Sequence, residues 1–185
     1  MKDHCIQDLI SQLNGVYLLS SMGNEEEARR QLMLMAELLR YKISRRDELV
    51  SVKTESSIAE GMMYLHASRF GSNLTTSISI QPGTEEQYIP HYLIMTFVEN
   101  SFYHGFPGVE GPWVLDVAVT GSSATLHVSI SDNGCGFDGE VCRTSDAYGT
   151  IGSLLKRLES LYGSSGSLTI TRDQGTRVHA CIPVT

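Results

Sequence analysis

The amino-acid sequence predicts an α+β fold: a two-layer α/β sandwich, with helices on one face of an antiparallel or mixed sheet, preceded by a helical hairpin. Three observations carry that prediction. The opening segment holds two apolar stripes at helical spacing, joined by a short connection at Gly23-Asn24. The remainder mixes such stripes with short runs that alternate with period two, the signature of half-buried strands. Turn-forming residues such as Pro82-Gly83 separate these runs, and no internal repeat recurs.

In the first helix Ile6, Leu9, Ile10, Leu13 and Tyr17 share one face. Asn24 is placed as the N-cap of the second helix, followed by Glu25, Glu26 and Glu27 where acids favour the helix dipole. Leu32, Met35, Ala36, Leu39 and Ile43 continue that helix, and Arg40, Lys42, Arg45 and Arg46 sit near its end, where cations are favoured. So small a hairpin has little core of its own. It is therefore expected to pair with a second copy in a four-helix bundle, giving a homodimer through the N-terminal helices. The pattern pauses around Arg45 to Val50, which sets the expected boundary between a hairpin at 1–47 and a second domain at 48–185. A third helix carries Ile58, Met62 and Leu65 on one face and ends before Gly71. A strand at 74–80 follows, and Pro90 is expected to open the next helix where a missing N–H does no harm. Strands at 113–120 and 124–132, a helix at about 152–162, and strands at 167–172 and 176–183 complete the expected order.

At 185 residues, 41% hydrophobic and 19% charged, the chain has the composition of an ordinary globular protein. A net charge of -7 argues against a nucleic-acid partner, which normally calls for a basic face. Cys5, Cys135, Cys142 and Cys181 form no CxxC pair and read as free thiols of a reducing compartment. No apolar run approaches the ~18 residues of a membrane span.

Two segments carry chemistry. Glu99 and Asn100 stand side by side in an otherwise apolar helix, and with Tyr103 and His104 they form one polar stripe, either a solvated face or the wall of a pocket. An amide oxygen is a hard ligand suited to Mg2+, and a neighbouring carboxylate can hold metal-bound water or accept a proton. Asp132 follows Leu126, Val128 and Ile130 in the inward register of its strand, so its carboxylate needs a donor partner. The exocyclic amino group of adenine is such a donor; a plain Asp-Asn-Gly turn is the alternative. Gly134 and Gly136 allow close backbone approach to a flat ligand. Gly175-Thr176 opens a final strand with Val178, Ala180 and Ile182 inward.

In this order the motifs resemble the ATP-binding domain of the gyrase/histidine-kinase/MutL superfamily. More closely, they resemble the cytoplasmic end of LytS-type sensor histidine kinases, over nearly the whole chain. Pro90-His91-Tyr92-Leu93, Val98-Glu99-Asn100-Ser101 and His104-Gly105 resemble that family's N box. Asp132-Asn133-Gly134-Cys135-Gly136 resembles its first glycine box, and Gly175-Thr176 through Ile182-Pro183 its closing strand motif. Leu38-Leu39-Arg40-Tyr41 and Tyr64-Leu65 through Arg69-Phe70 match its helical lead-in. The resemblance implies a Bergerat-type ATPase domain using ATP and Mg2+. It implies that Asn100 ligates the metal, Glu99 positions or activates the attacking group, and Asp132 reads adenine. Gly134 and Gly136 would shape the base pocket, Thr176 would lie near the base, and His104, Gly149 and Gly152 near the phosphates. The implied reaction moves the γ-phosphoryl group to a histidine on the hairpin and then to a response-regulator aspartate, by in-line positioning and charge neutralisation. It implies, too, the cytoplasmic portion of a membrane-anchored bacterial protein, touching the membrane only through an upstream segment.

The sequence departs from the family pattern twice. Counted back from Leu13-Asn14, the acceptor-histidine position is Gln7, preceded by Ile6 where the family has proline, and His4 lies about one turn earlier. Glutamine cannot carry a phosphoryl group as histidine does. In the nucleotide lid, Tyr148-Gly149-Thr150-Ile151-Gly152 spaces its glycines one residue further apart than the family does, and Ser153 or Leu155 stands where an asparagine is usual. These departures support a second expectation: a degenerate kinase module without its acceptor histidine, acting as a dimerisation or regulatory subunit.

Overall fold

The computed structural model describes residues 2–44, 49–136 and 146–184. Helices α1 (Lys2–Ser21) and α2 (Glu25–Ile43) form the hairpin. Asn24 precedes α2 and its carbonyl accepts the Ala28 N–H at 3.1 Å, but its side chain makes no capping bond. The hairpin does not stand alone. Val16, Ala28 and Met35 share a buried cluster with Leu65 of α3 (Val52–Phe70), so the third helix supplies the core that the hairpin lacks. Gly61 of α3 leaves room for Leu34, whose Cδ2 would lie 3.2 Å from a Cβ there. Ile6, Ile10, Leu13, Tyr17, Leu32 and Ile43 remain exposed, an open apolar face on the hairpin.

Strands β1 (Leu49–Ser51) and β3 (Tyr88–Pro90) pair antiparallel as a small two-stranded sheet, too short to register as alternation in the sequence. The main sheet contains β2 (Leu74–Ile80), β4 (Trp113–Gly121), β5 (Thr125–Asp132), β6 (Ser167–Arg172) and β7 (Thr176–Pro183). Its order is β2-β4-β5-β7-β6, with β2 parallel to β4 and the other pairs antiparallel. It is therefore mixed, within the expected class. On one face Leu115, Val117, Val119, Leu126, Val128 and Ile130 are buried against α3, α4 (Leu93–Asn100) and α5 (Asp146–Tyr162), which supply Met62, Leu93, Phe97, Ile151, Leu154 and Leu158.

Two boundaries differ from expectation. Pro90 does not open α4; it ends β3, paired with Leu49, and the chain reverses into the helix through Tyr92, which adopts a left-handed φ of 71° with its ring buried. Helix α5 starts at Asp146, six positions before the expected start at Gly152, so Gly149 falls in its first turn and Gly152 in its second. Downstream of α4 the helix widens into a π turn, Ser101–Gly105, where the Phe106 N–H reaches back to the Ser101 carbonyl at 2.9 Å.

Candidate functional site

Asp132 gathers three stretches of chain that are far apart in sequence. It ends β5 half-buried, paired with Leu115 on one side and Thr176 on the other. Its Oδ2 accepts from Ser101 Oγ at 2.6 Å, and its Oδ1 from the Gly134 N–H at 2.9 Å and the Thr176 N–H at 3.2 Å. The N box, the first glycine box and the closing strand thus meet on one carboxylate.

The glycines explain how. A Cβ at Gly134 would overlap the Gly105 backbone, and the Cys135 N–H donates to the Gly105 carbonyl at 2.8 Å, so the glycine box folds directly onto the end of the N box. Gly175, at φ 140°, lies against the Asp132 and Asn133 backbone where no side chain would fit. Gly136, at φ 81°, packs against Arg172 and Gly175. Gly152 has open space where a Cβ would project. The surroundings of Gly149 and the side chain of His4 lie outside the described residues.

The stretch that holds Glu99, Asn100, Tyr103 and His104 faces two ways. Ser101 and Gly105 look toward Asp132, whose carboxylate would lie 3.5 to 3.6 Å from a Cβ at Gly105. Glu99 and Tyr103 look toward the hairpin instead. Glu99 Oε1 accepts from Lys42 Nζ at 2.8 Å and from the Tyr92 hydroxyl at 2.7 Å, while the Tyr103 hydroxyl donates to Asp8 Oδ2 at 3.3 Å. Asn100 is half-buried, and its amide makes no hydrogen bond with the described residues. His104 is exposed, and its carbonyl accepts from Cys135 Sγ at 3.3 Å.

Two ionisable groups beneath the N box are strongly perturbed. Glu55 of α3 is fully buried and caps α4: Oε1 accepts from the Ile94 and Met95 N–H groups at 2.7 and 3.2 Å, and Oε2 from the Tyr92 N–H and the Tyr41 hydroxyl, both at 3.0 Å. Burial pushes its carboxyl up to about 7 although all four hydrogen bonds pull the other way. His66 stacks on Phe102 with ring centroids 3.8 Å apart, and burial drives it down to about 3, so it is neutral. Burial also raises Asp8, against the pull of Arg69 3.1 Å away.

Sequence reasoning assigned no role to Ser101, Glu55 or Lys42. Ser101 stands inside the N-box motif, next to Asn100. Glu55 carries no local signal, because most of its partners are backbone groups of a distant helix. Lys42 shows in the sequence only as a cation at a helix end. Among the described residues no group of three or more His, Cys, Asp and Glu is arranged to hold a metal. The amide oxygen of Asn100 and the carboxylates of Glu99 and Asp132 are hard oxygen donors in this region.

A two-layer sandwich of this order matches the fold of solved histidine kinases. The chain matches the histidine kinase domain of the blue-light activated histidine kinase of Erythrobacter litoralis with a TM-score of 0.55 at 16% identity, covering 96% of this chain and 93% of that one. It matches the Acinetobacter baumannii histidine kinase AdeS with a TM-score of 0.51 at 14% identity, covering 98% and 97%. In sequence it is similar to the sensor protein LytS of Staphylococcus epidermidis, 25% identical over 202 residues, across 99% of this chain and 34% of that protein. It is similar as well to the sensor histidine kinase YesM of Bacillus subtilis, 20% identical over 178 residues, across 95% of this chain and 31% of that protein. The LytS resemblance therefore runs the full length of the chain, which spans about a third of the length of the curated relatives it matches. No family model matches. Among the described residues no helix is long and apolar enough to cross a membrane.

Proposed function

We propose that the chain is the ATP-binding catalytic region of a two-component sensor histidine kinase. The convergence of the N box, glycine box and closing strand on Asp132 is the observation that carries this reading. A carboxylate offers about four acceptor positions. Asp132 spends three on described residues, which leaves one, at a half-exposed rim, for the amino group of adenine. Gly134 and Thr176 donate to that carboxylate through their N–H groups, and Gly136, packed against Gly175, would border the base. Asn100, half-buried with its amide uncommitted to the described residues, would hold Mg2+ together with phosphate oxygens. The metal would supply neutralisation of the charge that develops on the phosphates. His104, Gly149 and Gly152 would lie on the phosphate side, the glycines in the first two turns of α5. Glu99 would orient or activate the attacking group.

The partners that follow are a second copy of the chain, seated on the open apolar face of the hairpin, and a response regulator. Neither nucleic acid nor a membrane contact of this segment itself is part of the proposal. The chain would be the cytoplasmic portion of a membrane-anchored bacterial protein. A second reading rests on Gln7, which is exposed on α1 at the acceptor position. In that reading the module binds nucleotide and acts as a dimerisation or regulatory subunit without accepting a phosphoryl group.

Calorimetric titration with ATP, with and without Mg2+, tests the proposal. Binding that strengthens with Mg2+ is expected, and Asn100→Asp should change the Mg2+ dependence while the melting temperature moves little. No ATP binding in either arm overturns the reading. Incubation with γ-labelled ATP then separates the two versions: acid-labile label on the chain supports self-phosphorylation, and binding without label supports the regulatory subunit.

A further inference from the structure

The last turn of α2 reaches the catalytic domain at three points. Tyr41 donates to Glu55, the carboxylate that caps the start of α4. Lys42 holds Glu99, near the end of the same helix. Ser44 Oγ lies 2.9 Å from His91 Nε2, and the His91 carbonyl accepts from Arg157 of α5, the helix whose first turns carry Gly149 and Gly152. One turn of the hairpin thus touches both ends of α4 and, through His91, the lid helix.

The middle contact is the chemically consequential one. An exposed lysine–glutamate pair would be an ordinary solvated contact contributing little. This pair is largely covered, with side-chain exposures of 29% for Lys42 and 16% for Glu99. The same glutamate oxygen also accepts from Tyr92, whose ring stacks on Tyr41 at 5.9 Å and whose backbone is left-handed. Glu99 borders a cavity of about 50 Å³ together with Asp8, Gln12, Lys42, Tyr92 and Tyr103, whereas neither Ser101 nor Asp132 borders it. Lys42 is close enough to Asp8 to act on its charge as well. The N-box carboxylate is therefore turned toward the hairpin and occupied by it.

We propose that Lys42 is an inhibitory latch. With the hairpin docked, Lys42 sequesters Glu99 with the help of Tyr92, and Glu99 becomes available to an attacking group only when the last turn of α2 moves away. Hairpin position and Glu99 availability are then one equilibrium read at two places, so anything that shifts one shifts the other by the same factor. The inhibitory consequence rests on the ATP-binding reading above; the latch itself does not.

The test uses hydrogen exchange of the α1 and α2 amides in the full chain, without nucleotide, for the wild type, Lys42→Met, Glu99→Gln, the double variant and Lys42→Arg. Each of the two single disrupting changes is expected to raise exchange by ~5-fold or more, with the double no faster than either, and Lys42→Arg should restore protection. Unchanged exchange in Lys42→Met, or effects that multiply in the double variant, overturns the latch. Release of γ-phosphate at saturating Mg-ATP reads its sense: a faster rate in Lys42→Met supports inhibition, and an equal or slower rate in a variant that still binds ATP overturns it. Should no form of the chain bind ATP, the functional reading falls while the exchange cycle still decides the latch.

Discussion

Glu55 and Asp132 sit at opposite ends of the N-box helix and use the same chemistry, a carboxylate accepting backbone N–H groups. Glu55 takes four donors and is completely enclosed, which uses its whole acceptor capacity. Asp132 takes three and stays partly open at the sheet rim. A saturated, sealed carboxylate can only hold structure, whereas one with spare capacity and access can read a ligand. Burial alone would have ranked Glu55 as the functional residue. Counting unused acceptor positions reverses the ranking.

The comparison breaks most visibly at Glu55. Glu55→Ala leaves three backbone N–H groups of the first turn of α4 and the Tyr41 hydroxyl without their acceptor inside the core. Each such buried group is worth about 1 to 3 kcal/mol, and relaxation absorbs part of the sum, so a loss of about 3 to 5 kcal/mol in urea unfolding is expected. A loss below about 1 kcal/mol would mean that Glu55 does not hold the helix.

A smaller effect appears in the pH dependence of stability. Glu55 is raised from 4.5 to about 7, so the folded state keeps a proton that the unfolded chain releases. Its contribution is full below about 4.5 and is lost as pH rises through about 7. His66, lowered from 6.5 to about 3, acts in the opposite sense: its contribution is full above 6.5 and is lost as pH falls toward about 3. Between 4.5 and 6.5 the two slopes oppose one another. Removing either should uncover the other, at roughly 1.4 kcal/mol per pH unit. Glu55→Gln is expected to lose stability steeply on acidification, whereas His66→Phe, which keeps the stack on Phe102, should lose it as pH rises. Asp8, also raised by burial, adds to the Glu55 direction. Chemical unfolding at several pH values checks both signs, and parallel profiles for the two variants would refute the assignment.

What the sequence made legible follows from where the information lies. Strands β2, β6 and β7 and helix α3 were readable because alternation or helical spacing is local, and Gly71, Pro82-Gly83 and Gly175 mark their ends. Asp132 was readable because a charge appears in an inward register after three aliphatics. Pro90 misled: its missing N–H suits a helix start, but it suits the end of a short strand equally, and only the pairing with Leu49 decides. The partners of Glu99 and Tyr103 were not readable: both residues face the hairpin, where Lys42 of α2 and Asp8 of α1 meet them. That Lys42 lies 57 positions from Glu99 is a tertiary fact with no local signature.

Asp132→Asn sharpens the comparison with the least disturbance. The amide oxygen can still accept from the Gly134 and Thr176 N–H groups, and the amide nitrogen can donate to Ser101 Oγ, so stability should fall by no more than about 1 kcal/mol. The adenine amino group would meet a neutral acceptor, or a donor, instead of a carboxylate. ATP should therefore bind about 10-fold more weakly or worse, a change of about 1.4 kcal/mol. Guanine presents a carbonyl at the corresponding position, so GTP binding should fall less and the ATP-to-GTP preference should narrow. Calorimetry with both nucleotides measures the ratio. Equal losses for the two would strip Asp132 of base reading. A stability loss as large as that of Glu55→Ala would place both carboxylates in the same structural role, and the distinction drawn from spare acceptor capacity would fail.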